Sequence, residues 1–477
     1  MVKRSDNVKR VSPDGIPLMA VLGQYYPMNE FTSYAIVGLG GRSRMYLEAI
    51  GKTFSAKAHL VALCDRNEGR LELAAQLPYI APMAPKCYSD ADFDRMICET
   101  RPDTVIVICQ DSFHDAYICR AMELGCDVIT EKPMTTDAER AQRIIDTQKR
   151  TGRKVRVTFN YRYSPPRTQV KELLMSGVIG DVLSVDFQWM LDTHHGADYF
   201  RRWHRNKRNS GGLLVHKSTH HFDLVNWWLS AMPQEVVATG HRRFATPKTA
   251  QRLGLTQPGP RCTGCADQTK CPFSLDLASN EELNALYLQQ ESYDGYHRDQ
   301  CIFSPDIDIE DSMQALINYD NGVSMNYSLN AFCAWEGYVI QFNGTKGRLE
   351  HKLEETVYIN GDGTVPGALK KEGTFIRIYP TREPAYEVPV WTGEGGHGGG
   401  DDVMLRDLFA PEGTDKYLRA ADHRSGAASI LCGIAANRSI AEGTWIQASD
   451  LLHGLDRPDY PPMPSDEAPF TLPLNSK

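Results

Sequence analysis

"YAIVGLGGRS", Tyr34 to Ser43, is an apolar run that ends in three glycines within four residues, with an arginine and a serine behind them. It is either a strand delivering the chain to a phosphate or an ordinary glycine turn, and the flanking sequence decides. Similar apolar runs recur at Ala58–Asp65 ("AHLVALCD"), Asp103–Gln110 ("DTVIVICQ"), Cys126–Pro133 ("CDVITEKP") and Lys154–Tyr161 ("KVRVTFNY"). Continuous β-branched runs without strict alternation suit strands buried on both faces of a parallel sheet. Helical stretches separate them. Thr136-Asp137-Ala138-Glu139 reads as a capping box, apolar spacing continues through Ile144 and Ile145, and Gly152 reads as a stop; Gly51 and Gly125 can end earlier helices. Strand and helix in alternation imply right-handed crossovers and a doubly wound sheet.

In that setting the glycine turn follows a strand and opens a helix, as a dinucleotide-binding turn must. Gly38 permits the tight turn, Gly40 lets backbone N–H groups approach a pyrophosphate, and Gly41, Arg42 and Ser43 lead into a helix whose positive end faces the phosphates. Ser43 stands where a third glycine or alanine is usual. Asp65 lies 27 residues beyond Gly38 and is placed to accept the adenine ribose hydroxyls, which favours NAD. Arg66 beside it can stack on adenine or bind a 2′-phosphate, which keeps NADP open.

The chain has 477 residues, enough for two domains with an insertion. Apolar residues make up 42%, sufficient for real cores, and the net charge of −8 argues against broad nucleic-acid binding. The basic start, MVKRSDNVKR, is not followed by an apolar leader, and no long apolar window suggests a membrane span. Most of the twelve cysteines are scattered through apparent strands and helices (Cys64, Cys109, Cys126). That usage suits a reducing cytoplasm.

"TEKPMTT", Thr130–Thr136, places a glutamate, lysine and proline after the fifth strand of this Rossmann-like pattern. Together with His114, "NYRYSPPRTQVKELLMSGVIGDVLSVDFQW" (Asn160–Trp189), "SGGLLVHKSTHHFDLVNWWL" (Ser210–Leu229) and "NGTKGRLE" (Asn343–Glu350), it resembles the glucose–fructose oxidoreductase/inositol dehydrogenase (Gfo/Idh/MocA) family over most of residues 31–454. The resemblance implies an α/β chain of two parts. A Rossmann domain with a doubly wound parallel sheet comes first. An α/β domain follows, with a large, open, mainly antiparallel sheet that commonly serves as a dimer or tetramer surface. The active site is expected between them, over the nicotinamide of NAD. Domain limits are expected at 1–30 (extension), 31–155 (Rossmann), 156–455 (substrate and oligomerisation, with an insertion near 241–305) and 456–477, a proline-rich tail that could wrap a neighbour.

Oxidising a secondary alcohol needs a hydride acceptor and a base within reach of the hydroxyl. Lys132 is the first candidate base, since a partly desolvated lysine has a lowered pKa. With Glu131 it is assigned to the cofactor site, and in the family the matching lysine lies close to nicotinamide and substrate. The stretch Gly211–Leu229 is expected to be one helix bearing His216, Lys217 and His220, with the two histidines four apart on one face. The family usually has an aspartate, then a histidine four residues later; here His216 stands in the aspartate's place, so the usual Asp–His pairing is absent and Lys217 and His220 are expected to share proton transfer and hydroxyl recognition. "LDTHHGADYFRRWHRNKRNSGG" (Leu191–Gly212) is dense in groups that pair with sugar hydroxyls and stack on sugar C–H faces. From it His194, His195, Asp198, Tyr199, Arg202 and Trp203 are taken as substrate residues, with Tyr161 and Arg162 from the preceding segment. "GEGGHGGGDD" (Gly393–Asp402) reads as a flexible glycine run that could close His397 over a substrate.

"RCTGCADQTKCPF" gives Cys262-x2-Cys265-x5-Cys271, with Cys301 thirty residues on. Four thiolates at this spacing would complete a structural zinc site that staples a small insertion. The spacing alone also admits an iron–sulfur cluster, a disulfide or free thiols. The leading expectation is an NAD(P)-dependent homo-oligomer, dimer or tetramer, that oxidises a secondary hydroxyl of a sugar, glycoside or cyclitol. Two others are an NAD-dependent glycosidase or lyase that oxidises C3 transiently and recycles its cofactor, and a nucleotide-sensing regulator; retention of Lys132 and His220 argues against the last.

Overall fold

The computed structural model describes residues 31–474; the extension expected at 1–30 lies outside them. Two sheets organise the chain. The first is seven-stranded, built from β1 (Thr32–Val37), β2 (Ala58–Cys64), β3 (Lys86–Tyr88), β4 (Thr104–Val107), β5 (Asp127–Thr130), β6 (Val155–Val157) and β15 (Ala421–Asp422) in the order β15-β6-β5-β4-β1-β2-β3. β1 to β6 run parallel and β15 pairs antiparallel at the edge. This is a doubly wound order with its reversal beside β1, so the carboxyl ends of β1, β4 and β5 border the crevice where such sheets bind ligands. β1 and β4 are buried along almost their whole length because helices cover both faces. The helix Ala138–Thr151 starts one residue later than the capping box suggests: Asp137, not Thr136, caps it by accepting from the Arg140 N–H. Gly152, at φ +67°, ends it. Gly51 does not end a helix but sits inside the π-helical turn Ala49–Thr53.

The second sheet is nine-stranded and mainly antiparallel, in the order β14-β13-β12-β11-β7-β10-β9-β8-β16. Its strands are β7 (Val182–Asp192), β8 (Pro233–His241), β9 (Ser312–Tyr319), β10 (Ser324–Cys333), β11 (Glu336–Gly344), β12 (Gly347–Glu355), β13 (Phe375–Pro380), β14 (Tyr386–Val388) and β16 (Ile446–Gln447). Only β7 and β10 pair in parallel. Alternate residues of β7 (Val185, Phe187, Trp189) and β9 (Met313, Ala315, Ile317) are buried, as one covered face demands. That face carries the helices Pro165–Met175 and Thr219–Leu229. The helix His423–Glu442 belongs to both cores, through Ala427, Ile430 and Leu431 to the first and Cys432, Ala435 and Ala436 to the second. Gly433 lies so close to the Leu213–His216 turn that a Cβ would come within 2.2 Å of the Leu214 carbonyl oxygen.

Two expectations are corrected here. Gly211–Leu229 is not one helix: Leu213–His216 and Thr219–Leu229 are separate, broken at Lys217–Ser218, and the Ser218 hydroxyl is held by Tyr327 of β10. The described part of the tail, which the sequence suggests could wrap a neighbour, makes contacts with its own chain. Arg457 pairs with Asp320, Asp459 with Arg424, and the Pro461 carbonyl accepts from Ser230 of the same chain. Finally, Arg162 is no substrate residue. It is fully buried beneath the sheet and grips Asp223 with two bonds of 2.7 and 2.6 Å. Even so, burial pushes the Asp223 carboxyl up to about 6 against the pull of Arg162. The pair is therefore mutually dependent. Arg162→Leu should destabilise the protein by about 3 kcal/mol or more by stranding Asp223, and Arg162→Leu with Asp223→Leu should recover most of the loss in denaturant melts; equal losses in single and double variants would refute the dependence.

Candidate active site

The carboxyl ends of the parallel strands face the helical side of the second domain across a cavity of about 510 Å³. On one wall, Gly38 has φ +93°, and a Cβ there would sit 2.6 Å from the Cys109 backbone nitrogen, so only glycine fits. A Cβ at Gly40 would meet nothing nearer than 3.9 Å, so that backbone is open to the cavity. Ser43 is buried, its hydroxyl donating to the Gly40 carbonyl, and it shapes the turn rather than lining the cavity. Asp65 accepts from the N–H groups of Leu39 (2.6 Å) and Asn67 (2.8 Å). Burial raises its pKa against those bonds and Arg70. Arg66 borders the cavity and lies over the Phe113 ring at 5.6 Å.

Arg42 turns inward to Glu131 (2.7 Å) and Asp401 (3.3 Å). Tyr46 donates to Glu131, while Asn160 and His397 hold Asp401 at 2.7 and 2.8 Å. Burial alone would raise both carboxyls, but Arg42 keeps Glu131 below its ordinary value, and His397 with Arg42 keeps Asp401 far below. His397 itself sits at φ +53° on the cavity wall. The glycines around it, whose composition suggests a flexible lid, are packed closely in this structure. Gly400 approaches the Asn160 carbonyl, where a Cβ would be at 2.4 Å, and the Gly398 N–H donates to the Gly367 carbonyl at 2.9 Å.

At the centre, Lys132 Nζ donates to the His216 carbonyl oxygen at 3.2 Å, and its peptide bond to Pro133 is cis. Burial brings the Lys132 amine down to about 8, opposed by the Asp111 and Glu131 carboxylates. The His216 ring is held at Nδ1 by Asp111, 2.5 Å away. Asp111 therefore supplies, from the other domain, the carboxylate partner that a histidine at position 216 lacks within its own helix. Lys217 is buried against the Trp189 ring (4.6 Å) and Tyr161 (3.4 Å), with Glu336 at 3.9 Å, and burial lowers its pKa. His220 stacks on Tyr161 at 4.2 Å, is 4% exposed, and its Nδ1 has no partner. Burial first, then Lys132 and Lys217, hold it well below the usual imidazole range, so it is neutral.

Of the loop Leu191–Gly212, His195, Tyr199, Arg202 and Trp203 line the cavity, together with His204. His195 is oriented by Glu336 at 3.0 Å. Two expectations fail. The His194 side chain is 68% exposed and turned to solvent. Asp198 is buried away from the cavity, anchoring Arg298 at 2.7 Å and Arg202 at 3.5 Å. A third concerns metal. Cys262, Cys265, Cys271 and Cys301 do gather around a small void of about 20 Å³, as free thiols, but among the described residues no three His, Cys, Asp or Glu side chains are arranged to hold a metal ion. Burial raises the thiols of Cys262, Cys271 and Cys301 against the opposing pull of the Arg201 guanidinium, 4.0 Å from Cys262 Sγ, and these sulfurs pack with Phe273 and Phe303.

Sequence reading missed Asp111, Glu336, Tyr358 and the wall residues Tyr287 and Tyr296. Asp111 had a usable signal, its place just beyond β4 at the carboxyl edge of a doubly wound sheet; Glu336 and Tyr358 had none. No helix among the described residues is long and apolar enough to cross a membrane.

Two family models match: "Oxidoreductase family, NAD-binding Rossmann fold" over residues 32–159 and "Oxidoreductase family, C-terminal alpha/beta domain" over 171–448. The chain is 38% identical over 415 residues to the putative oxidoreductase YteT of Bacillus subtilis, covering 85% of this chain and 95% of that one. It is 26% identical over 211 residues to the D-glucoside 3-dehydrogenase of Escherichia coli, covering 42% of this chain and 59% of the relative. Among solved structures, the WlbA dehydrogenase of Bordetella pertussis in complex with NADH and UDP-GlcNAcA aligns with a TM-score of 0.58 at 17% identity, over 87% of this chain and 98% of that one.

The Asp401 hub yields a test. Because its folded pKa is depressed, its stabilisation is present above the ordinary aspartate value near ~4 and fades as pH falls below it. Asp401→Asn should cost about 3 kcal/mol at neutral pH, with the difference from wild type shrinking in urea melts taken below that value; a pH-independent difference would contradict the charge network.

Proposed function

The chain belongs to the Gfo/Idh/MocA oxidoreductase family, matched through both its domains, and from that premise we propose that it is an NAD-dependent dehydrogenase of a secondary hydroxyl on a sugar or glycoside. The observation that carries the reading is the convergence of Lys132, His216, Lys217 and His220 on one cavity that also contains the glycine turn of β1. That cavity fits a dinucleotide: Gly40 leaves its backbone open, Asp65 stands at the end of β2, and Lys132 and His220 line the far wall. When bound, the nicotinamide supplies the hydride acceptor.

The residues of the chain do the rest. Lys132, poised near neutral pH by desolvation, takes the hydroxyl proton. The His216 carbonyl fixes the Lys132 amine, and Asp111 fixes His216. His220, neutral and stacked on Tyr161 in the cavity wall, accepts a hydrogen bond from a substrate hydroxyl. Lys217, Tyr199 and His195 offer further partners, and Trp203 an apolar face. A carbohydrate suits such a wall better than an aliphatic alcohol, whose few polar atoms would leave these buried groups unpaired. The likeness to a D-glucoside 3-dehydrogenase supports the glycoside choice. The cytoplasm remains the expected compartment, and the open sheet the expected subunit interface.

With NAD and a panel of sugars and aryl glycosides, reduced cofactor should accumulate at 340 nm. The rate of oxidation should rise as pH climbs through about 8, because only the neutral Lys132 amine accepts a proton. Lys132→Ala should lower kcat by about 100-fold or more with dinucleotide affinity retained. Aglycone release without net reduction would instead favour the redox-neutral glycosidase reading, and undiminished turnover would remove Lys132 from the reaction.

A further inference from the structure

The segment between β8 and β9 does not stay with its own sheet. It carries a small core of its own, in which Leu277, Leu283, Leu286 and Tyr287 are buried, and from that core it crosses to the first domain. There it grips the βα corner at three points. Tyr287 places its hydroxyl 3.0 Å from the Gly41 N–H, on the turn expected to receive the pyrophosphate. The Asn67 side chain donates to the Gln290 carbonyl at 3.0 Å. Arg70, buried, pairs with Asp294 at 2.7 Å and donates to the Leu286 carbonyl. Behind these contacts Arg298, fully buried, ties the segment to Asp198 and to the Asn360 carbonyl.

Tyr287, Asp294 and Tyr296 line the same cavity as Gly38–Arg42 and Asp65. The Tyr296 hydroxyl is buried without a partner. A hydroxyl hidden from water and left unpaired is costly unless something entering the cavity accepts its hydrogen. Tyr287 also has a transferable bond, because the Gly41 N–H it occupies is the one a phosphate oxygen would take.

We propose that this segment is a clasp that completes the dinucleotide site, with Tyr287 and Tyr296 donating to the cofactor's phosphate and ribose oxygens and Asp294 acting as a second specificity carboxylate beside Asp65. Asp294 neutralises Arg70, the cation nearest Asp65, which would otherwise attract a 2′-phosphate. The clasp thereby selects NAD over NADP and slows exchange, since the cofactor leaves only when the segment lifts from the corner. This rests on the dehydrogenase reading above and deepens it.

The test measures binding rather than turnover. NAD and NADP dissociation constants come from titration of the intact protein, and off-rates from stopped-flow displacement. Tyr287→Phe and Tyr296→Phe remove only hydroxyls, and each should speed NAD release about tenfold, the weight of one hydrogen bond to a charged group. Asp294→Asn should tighten NADP relative to NAD by about tenfold, because Arg70 is released. Unchanged off-rates in both tyrosine variants together with an unchanged NADP/NAD ratio in Asp294→Asn would overturn the clasp while leaving the dehydrogenase reading intact. A wild-type protein that binds neither dinucleotide would overturn both.

Discussion

His216 is the residue on which the cleft depends. Its carbonyl accepts from Lys132 and its ring is held by Asp111, so the two residues contributed by the ends of β4 and β5 are both tied to one short helix of the other domain. A lysine can be a base near neutral pH only if it is desolvated, and desolvation is tolerable only if its remaining donors are satisfied. The two domains supply this jointly. The first brings the amine and the carboxylate, the second brings the carbonyl and the ring, and neither set is complete alone.

The rest of the polar architecture obeys the same constraint. Glu131, Arg42, Asp401 and His397 are linked in that order in a largely buried chain across the domain boundary. Tyr46 and Asn160 add second donors to Glu131 Oε1 and Asp401 Oδ1, and the Lys132 N–H donates to Glu131 Oε2. Glycines allow this chain to close, since Gly398 and Gly400 bring the backbone against Ser164 and Asn160 at distances no side chain would permit. The nine-stranded sheet serves as the floor: Trp189 lies under Lys217, and Glu336, at the start of β11, orients His195.

The parallel half was legible because both its signals are local. Runs such as "DTVIVICQ" announce doubly buried strands, and Gly38 admits no substitute at φ +93°. Lys132 and His220 were legible through motif and resemblance. Arg162 and Asp198 misled for one physical reason: charged residues within a polar, aromatic stretch read the same whether they face a sugar or a buried counter-charge, and Asp223 and Arg298 are remote in sequence. The cysteine spacing correctly gathers Cys262, Cys265, Cys271 and Cys301 in one place, but spacing cannot show their surroundings, such as the Arg201 guanidinium 4.0 Å from Cys262 Sγ. The cover over the glycine turn was illegible because Tyr287 reaches Gly41 across 246 residues.

The most direct measurement of the central claim is a crystal structure with NAD bound. The account predicts the pyrophosphate against Gly38–Gly41 and the nicotinamide facing the Lys132 amine and the His220 ring, with the Asp111–His216 contact retained. A nicotinamide turned away from both amines, or a pyrophosphate bound elsewhere with the β1 turn still closed, would contradict it.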